Sequence, residues 1–348
     1  MAGGADLNDP GALLAAVSQS MEILDIVLTA FRGRYPTGGR GFFDRALRKA
    51  IREKNETIIR KLAEHADLND TEWLDVKGEV KHRTSERTSD IFTNVEYLCL
   101  PTLLREGIAT RSVNIVKILL DSGGNPDSTV EMYPNHSLRG RVTAISKAIS
   151  TGDLAMVKLL HDANANLHFS ATLGITHTSL HLAVELGHAD IVEYLLDRDV
   201  DVNAPPCTFE GGTALQFAAK VGSVGTAELL IQHGAIVNAP GSTYGGQTAF
   251  EFAAEFGRMD MLLLLFHKGV DLVSDGGVQI RRACKSAEEN GQVAARDLVM
   301  QLAEAKGMDV FAMGGYNTVG SIGNVGLPAS GGYDFPSESL HGSDMIAI

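Results

Sequence analysis

The chain offers eleven histidines and three cysteines, the residue types from which nucleophiles, general bases and metal sites are most often built. Cys99, Cys207 and Cys284 stand far apart and are odd in number, with no C-x-x-C pair and no Cys/His cluster at zinc-ligand spacing. Neither a metal centre nor a disulfide framework is implied, and a reduced, intracellular compartment is the natural reading. The histidines do not recur beside a paired acid and nucleophile. His181 falls inside a repeated motif, but its equivalents there are Ser146, Gln216 and Glu251. A helix cap tolerates that exchange, whereas a general base would not. The glycine-rich run Gly320–Gly326 has no strand before it and no helix after it, so it is no phosphate loop. No catalytic residue, metal or cofactor is expected, and the sequence points to binding.

The motif that holds His181 returns every 35 residues, at Thr143, Thr178, Thr213 and Thr248. The copies read T-A-I-S-K-A-I-S-T-G, T-S-L-H-L-A-V-E-L-G, T-A-L-Q-F-A-A-K-V-G and T-A-F-E-F-A-A-E-F-G. The threonine caps a helix, and Thr213 with Gln216 and Thr248 with Glu251 have capping-box spacing. Apolar positions two and five residues later, such as Leu180 and Ala183, share one helical face. Gly152, Gly187, Gly222 and Gly257 end that helix, because glycine accepts the left-handed conformation. A second apolar helix follows, as in Ile191, Val192, Leu195 and Leu196, and closes at a V-N turn (Val202-Asn203, Val237-Asn238). Helices this short are not stable alone, so the units must stack.

The segment Thr178–Ala204, T-S-L-H-L-A-x-x-x-G-H-A-D-I-V-E-Y-L-L, resembles an ankyrin repeat, and the wording around Asn203–Pro206 and Gly211–Ala219 resembles arrays common in filamentous fungi. The proline that the family places after the threonine is here Ser179 or alanine. The resemblance implies an all-α solenoid of stacked helix pairs with hairpin-like linkers, the extra length lying at Pro205–Gly211 and Pro240–Gly246. It also implies that His181 ties adjacent turns by a hydrogen bond. Weaker units extend outward, around Thr102–Gly123, Leu47–Leu62 and Ala283–Leu302, for about six in all. Residues 1–43 are expected to form an N-terminal helical segment and 44–305 the array. An irregular insertion at about 70–100 carries short strands near Glu72–Val80 and Ile91–Cys99. Residues 306–348 read as a disordered Gly/Ser-rich tail.

A net charge of −13 argues against general nucleic-acid binding. The balance is uneven: Arg32–Lys61 holds ten Lys/Arg against three Asp/Glu, about +7, which leaves about −20 for the rest. That stretch is the one alternative, a contact for nucleic acid in a transcriptional regulator. Its charges alternate with apolar residues and no aromatics interleave, so a solvated helix face accounts for it better. The sequence shows no signal peptide at its start and no run long enough to span a bilayer, so an intracellular location, cytoplasmic or nuclear, is expected.

By the same resemblance, the two residues before each helix-ending glycine face the concave side of the stack. These are Ser150-Thr151, Glu185-Leu186, Lys220-Val221 and Glu255-Phe256, with Leu186, Val221 and Phe256 forming an apolar row. Linker fingers would stand beside it with Phe209 and Tyr244 as aromatic tips. The expected function is a scaffold or adaptor, acting as a monomer, that captures a protein partner through this groove.

Overall fold

The computed structural model describes residues 21–34, 40–64, 66, 68, 72–74, 80–82, 98–99, 102–132, 140–169, 177–206, 211–243, 245–274 and 276–308. The expected tail beyond residue 308, Phe209, Tyr244 and most of the insertion at 70–100 lie outside them.

Fifteen helices occur among the described residues. After α1 (Met21–Arg34) the rest form pairs: α2 (Arg40–Arg52) with α3 (Glu56–Ala63), α4 (Leu103–Ala109) with α5 (Val113–Asp121), and α6 (Ala144–Thr151) with α7 (Leu154–Asp162). There follow α8 (Ser179–Glu185) with α9 (Ala189–Leu196), α10 (Ala214–Val221) with α11 (Val224–Gln232), α12 (Ala249–Glu255) with α13 (Met259–His267), and α14 (Val278–Glu289) with α15 (Val293–Ala305). First helices pack on first helices from α2 through α14, and second helices on second helices from α3 through α9 and from α11 through α15. The result is a two-layered all-α solenoid of seven helix pairs, where the sequence suggested about six units. The first pair begins at Arg40, ahead of the expected start of the array at residue 44.

Strands are confined to the insertions. β1 (Glu72–Leu74) lies between β2 (Val80–His82) and β3 (Leu98–Cys99), both antiparallel to it. The linker ahead of Thr143 is a hairpin of β4 (Thr129–Met132) and β5 (Gly140–Thr143), in register Thr129 to Thr143.

Five of the seven first helices, α4 to α12, open on a threonine whose hydroxyl accepts from the amide three residues on: Thr102, Thr143, Thr178, Thr213 and Thr248. The box closes fully at Thr213–Gln216 and Thr248–Glu251, as expected, and also at Thr143–Ser146. A core of Leu, Ile, Val and Ala runs unbroken between the layers, with Leu104, Ile145, Leu180, Leu215 and Phe250 essentially inaccessible. Each such leucine contributes roughly 1.5–3 kcal/mol. The V-N turns add a polar ladder. Asn203 accepts from the Ile236 amide at 2.9 Å and donates to the Gly234 carbonyl at 2.9 Å. Asn238 repeats this toward Asp271 (2.8 Å) and Gly269 (3.3 Å).

The turn between the two helices of a pair requires one left-handed residue. The positions are Lys54, Arg111, Gly152, Gly187, Gly222, Gly257 and Gly291, all with φ between 54° and 77° except Gly222 at 86°. The residue after this position in the next unit lies over it: His188 over Gly152, Arg258 over Gly222 and Gln292 over Gly257. Where that residue is short (Ser112, Asp153 or Ser223), the position holds Lys54, Arg111 or Gly187, and a Cβ on Gly187 would meet nothing. Glycine is thus demanded twice at Gly222, once by φ and once by Arg258. Gly187→Ala should cost about 1–2 kcal/mol for the left-handed backbone. Gly222→Ala should lower the melting temperature further, because its Cβ would stand 2.6 Å from Arg258 Cδ and displace the Arg258 bond to the Lys220 carbonyl. Thermal melts of the two variants read the difference.

His181 is fully buried, and neither ring nitrogen completes a hydrogen bond. The expected tie between turns is made instead by its equivalent Gln216, which donates to the carbonyls of Ala239 (2.9 Å) and Pro240 (3.0 Å). Burial, helped by the nearby His177, pushes the His181 pKa down to about 4, against a smaller opposing pull from the Ala204 carbonyl. The unfolded chain binds this proton near pH 6.5, but the folded one does so only near 4. Stability is therefore full above about 6.5 and falls as the pH drops toward 4, by about 3 kcal/mol. His181→Gln should keep the fold and flatten that part of the pH dependence, as read by urea unfolding between pH 4 and 7.

Candidate functional site

Positions four and eight residues after each capping threonine share a helical face, one turn apart. They are Lys147 and Thr151 in α6, Leu182 and Leu186 in α8, Phe217 and Val221 in α10, and Phe252 and Phe256 in α12. Leu182, Leu186, Val221 and Phe252 are half-buried, Phe217 is buried, and Phe256 is 37 % exposed. The row expected from sequence, Leu186, Val221 and Phe256, is thus one edge of a broader apolar strip. Its second edge, Leu182, Phe217 and Phe252, was overlooked, although phenylalanine recurs four residues after Thr213 and Thr248. The strip is continuous at its end, where the Phe252 and Phe256 rings lie 6.5 Å apart.

The flanking charges are engaged. Glu185 meets His177 Nε2 at 3.0 Å and Lys220 Nζ at 3.6 Å, joining the fourth and fifth pairs. His177 also stacks at a tilt on Phe217, with centroids 5.2 Å apart. Glu255 accepts from Gln247 Nε2 at 2.5 Å. At the N-terminal end, Arg48 and Arg52 both bind Glu106, at 2.7 and 2.6 Å, clamping α2 to α4. Lys61 pairs with Asp25 of α1 at 2.5 Å. Three cations of the basic stretch are therefore structural.

The bases of two successive linkers enclose an open cleft of about 380 Å³, lined by Pro205, Pro206, Ile236, Pro240 and Thr243 among others. Among the described residues, no group of three or more His, Cys, Asp or Glu side chains could hold a metal ion. No helix among them is long and apolar enough to cross a membrane.

Stacked helix pairs with left-handed turns, threonine caps and an exposed strip along the first-helix layer define a repeat solenoid. A model of the ankyrin-repeat family (ankyrin repeats, three copies) matches residues 107–206 and 204–275. Residues 107–275 are an array of ankyrin repeats. No curated protein matches it.

Burial alone would raise the Glu185 pKa, but the hydrogen bond and charge of His177, together with Lys220, outweigh it and hold the carboxyl below its ordinary value. This group stabilises the fold above its unfolded pKa and ceases to do so as the pH falls through the folded one. A carboxyl-carbon NMR titration should show the depressed midpoint, and His177→Ala and Lys220→Ala should each move it upward.

Proposed function

We propose that this protein is an adaptor or scaffold that recognises a protein partner through the apolar strip. Leu186, Val221 and Phe256 are its anchors, and Glu185, Lys220 and Glu255 its polar border. Phe209 and Tyr244 contribute from the linkers. The observation that carries this reading is a row of apolar side chains left half-covered along three consecutive units, ending in the exposed Phe256. A solenoid buries its structural apolar residues between units, and a contiguous apolar row outside that core is the usual mark of a partner surface. In the same reading the helix pairs from Arg40 to Ala305 are the array, and the residues on either side are its flanks. Cys284 is a buried free thiol with its pKa pushed up by burial to about 11, which suits a reducing, intracellular setting.

The nucleic-acid reading is the weaker one. Within Arg32–Lys61, the side chains of Arg48, Arg52 and Lys61 are spent on ion pairs with Glu106 and Asp25.

Replacing Leu186, Val221 and Phe256 together with serine should leave the helical circular-dichroism signal and cooperative melting in place. Partner capture from a lysate of the source cells should fall at least about tenfold, since interface energy concentrates in a few anchors. Undiminished capture by the folded triple variant would sink the reading.

A further inference from the structure

The exposed face of the first-helix layer changes character along its length. In α8, α10 and α12 the fourth position after the cap is Leu182, Phe217 and Phe252, but in α4 and α6 it is Glu106 and Lys147. Glu106 is already held by two arginines, so that pair of positions carries excess positive charge. Lys147 is half-buried, and no carboxylate or other acceptor among the described residues bonds its ammonium. Its surroundings are unfavourable: burial first, then Arg105 and then Arg111 push its pKa down. Lys147, a cation placed partly out of water beside two others, is stabilised when an anion arrives.

Arg111 is informative on its own. It stands at φ 58° at the left-handed turn position that the four central units give to glycine. A non-glycine residue there costs on the order of 1 kcal/mol. Its side chain is exposed and makes no hydrogen bond or ion pair with another described residue. Lys54 occupies the same position one unit earlier, at φ 55°, so a cation stands at this edge in two successive units. The overall charge of −13 makes this local excess stand out further.

We propose that the N-terminal half of this face, centred on Lys147 and Arg111, docks an Asp/Glu-rich segment of the protein partner, whose apolar side chains continue onto Leu186, Val221 and Phe256. The assignment rests on the recognition reading above and gives its partner a chemistry and a direction. Helix layers repeat about every 10 Å, so from Lys147 to Phe256, three layers on, is about 30 Å. A partner helix of roughly 20 residues, acidic at one end and apolar at the other, spans that length. Carboxylates suit the site better than nucleic acid does. The free cations are few, and the aromatics lie at the opposite end of the strip rather than interleaved with them.

The test is a random peptide library displayed on phage and selected against the full chain. Parallel selections use Arg111→Gly/Lys147→Gln and Leu186→Ser/Val221→Ser/Phe256→Ser. Arg111→Gly installs the residue of the central units, so the double variant should melt at or above the wild-type temperature. Peptides enriched on the wild type should carry Asp/Glu followed by apolar residues. By fluorescence anisotropy their affinity should fall about tenfold on the double variant and weaken with added salt. Enriched peptides without acids, or acidic ones that bind the double variant equally well, would overturn the inference. If those peptides still lose affinity on the triple variant, the recognition reading survives. Peptides indifferent to both variants, or no enrichment at all, remove both. A single-stranded oligonucleotide that binds the wild type and is lost on the double variant would reassign the cations to nucleic acid.

Discussion

Everything in this molecule depends on the fact that its repeated helices are too short to exist alone. In the five inner pairs, first helices of seven or eight residues and second helices of eight or nine hold one apolar face each, and only a neighbouring unit can cover it. The core is therefore not a centre but a continuous sheet of contacts running from α2 and α3 to α14 and α15. Each unit must present the same shape to the next, which is why threonine caps and left-handed turns recur while surface residues do not. The turn geometry follows from the same demand: the side chain after each turn reaches back over the unit before it, and its length decides whether glycine is compulsory there.

Much of this was legible from residues whose work is local. The glycines that end the first helices, the threonine caps and the boxes at Gln216 and Glu251 all act within one turn of chain, so sequence spacing reveals them. Features that join separate units were not legible. The valine–asparagine turns were visible, but not that Asn203 and Asn238 bridge to backbone more than 30 residues away. The Ser146 hydroxyl closes a capping box that the motif of longer side chains does not include. Arg111 hid a turn position because it is not glycine, and His181 and Gln216 share a position yet only Gln216 bonds across it. Likewise the anchors Leu186, Val221 and Phe256 were found by position, whereas Phe217 and Phe252, one turn earlier on the same face, were not.

The two ends of the first-helix face are held by different forces. Around α2 and α4 the units are joined across the surface by the Arg48–Glu106–Arg52 clamp, and around α8 and α10 by His177, Glu185 and Lys220. Further on, the contacts become aromatic and the polar groups satisfy one another within a unit, as Gln247 does Glu255. A gradient from ionic to apolar thus lies along the stacking axis, and it belongs to the surface alone, since one continuous apolar core runs beneath it.

The asparagine ladder has a consequence for how such a protein can change. Asn203 and Asn238 fasten each unit to the next at the turn after the second helix, upstream of the linker, and the threonine cap restarts the stack downstream of it. The linker between these two fixed points carries none of the layer packing. Its length is free, as the 41 residues from Thr102 to Thr143 show beside the 35 of later units. Insertions there lengthen a projection without shifting any helix, so new surface can be acquired by a lineage while the scaffold that displays it stays as it was.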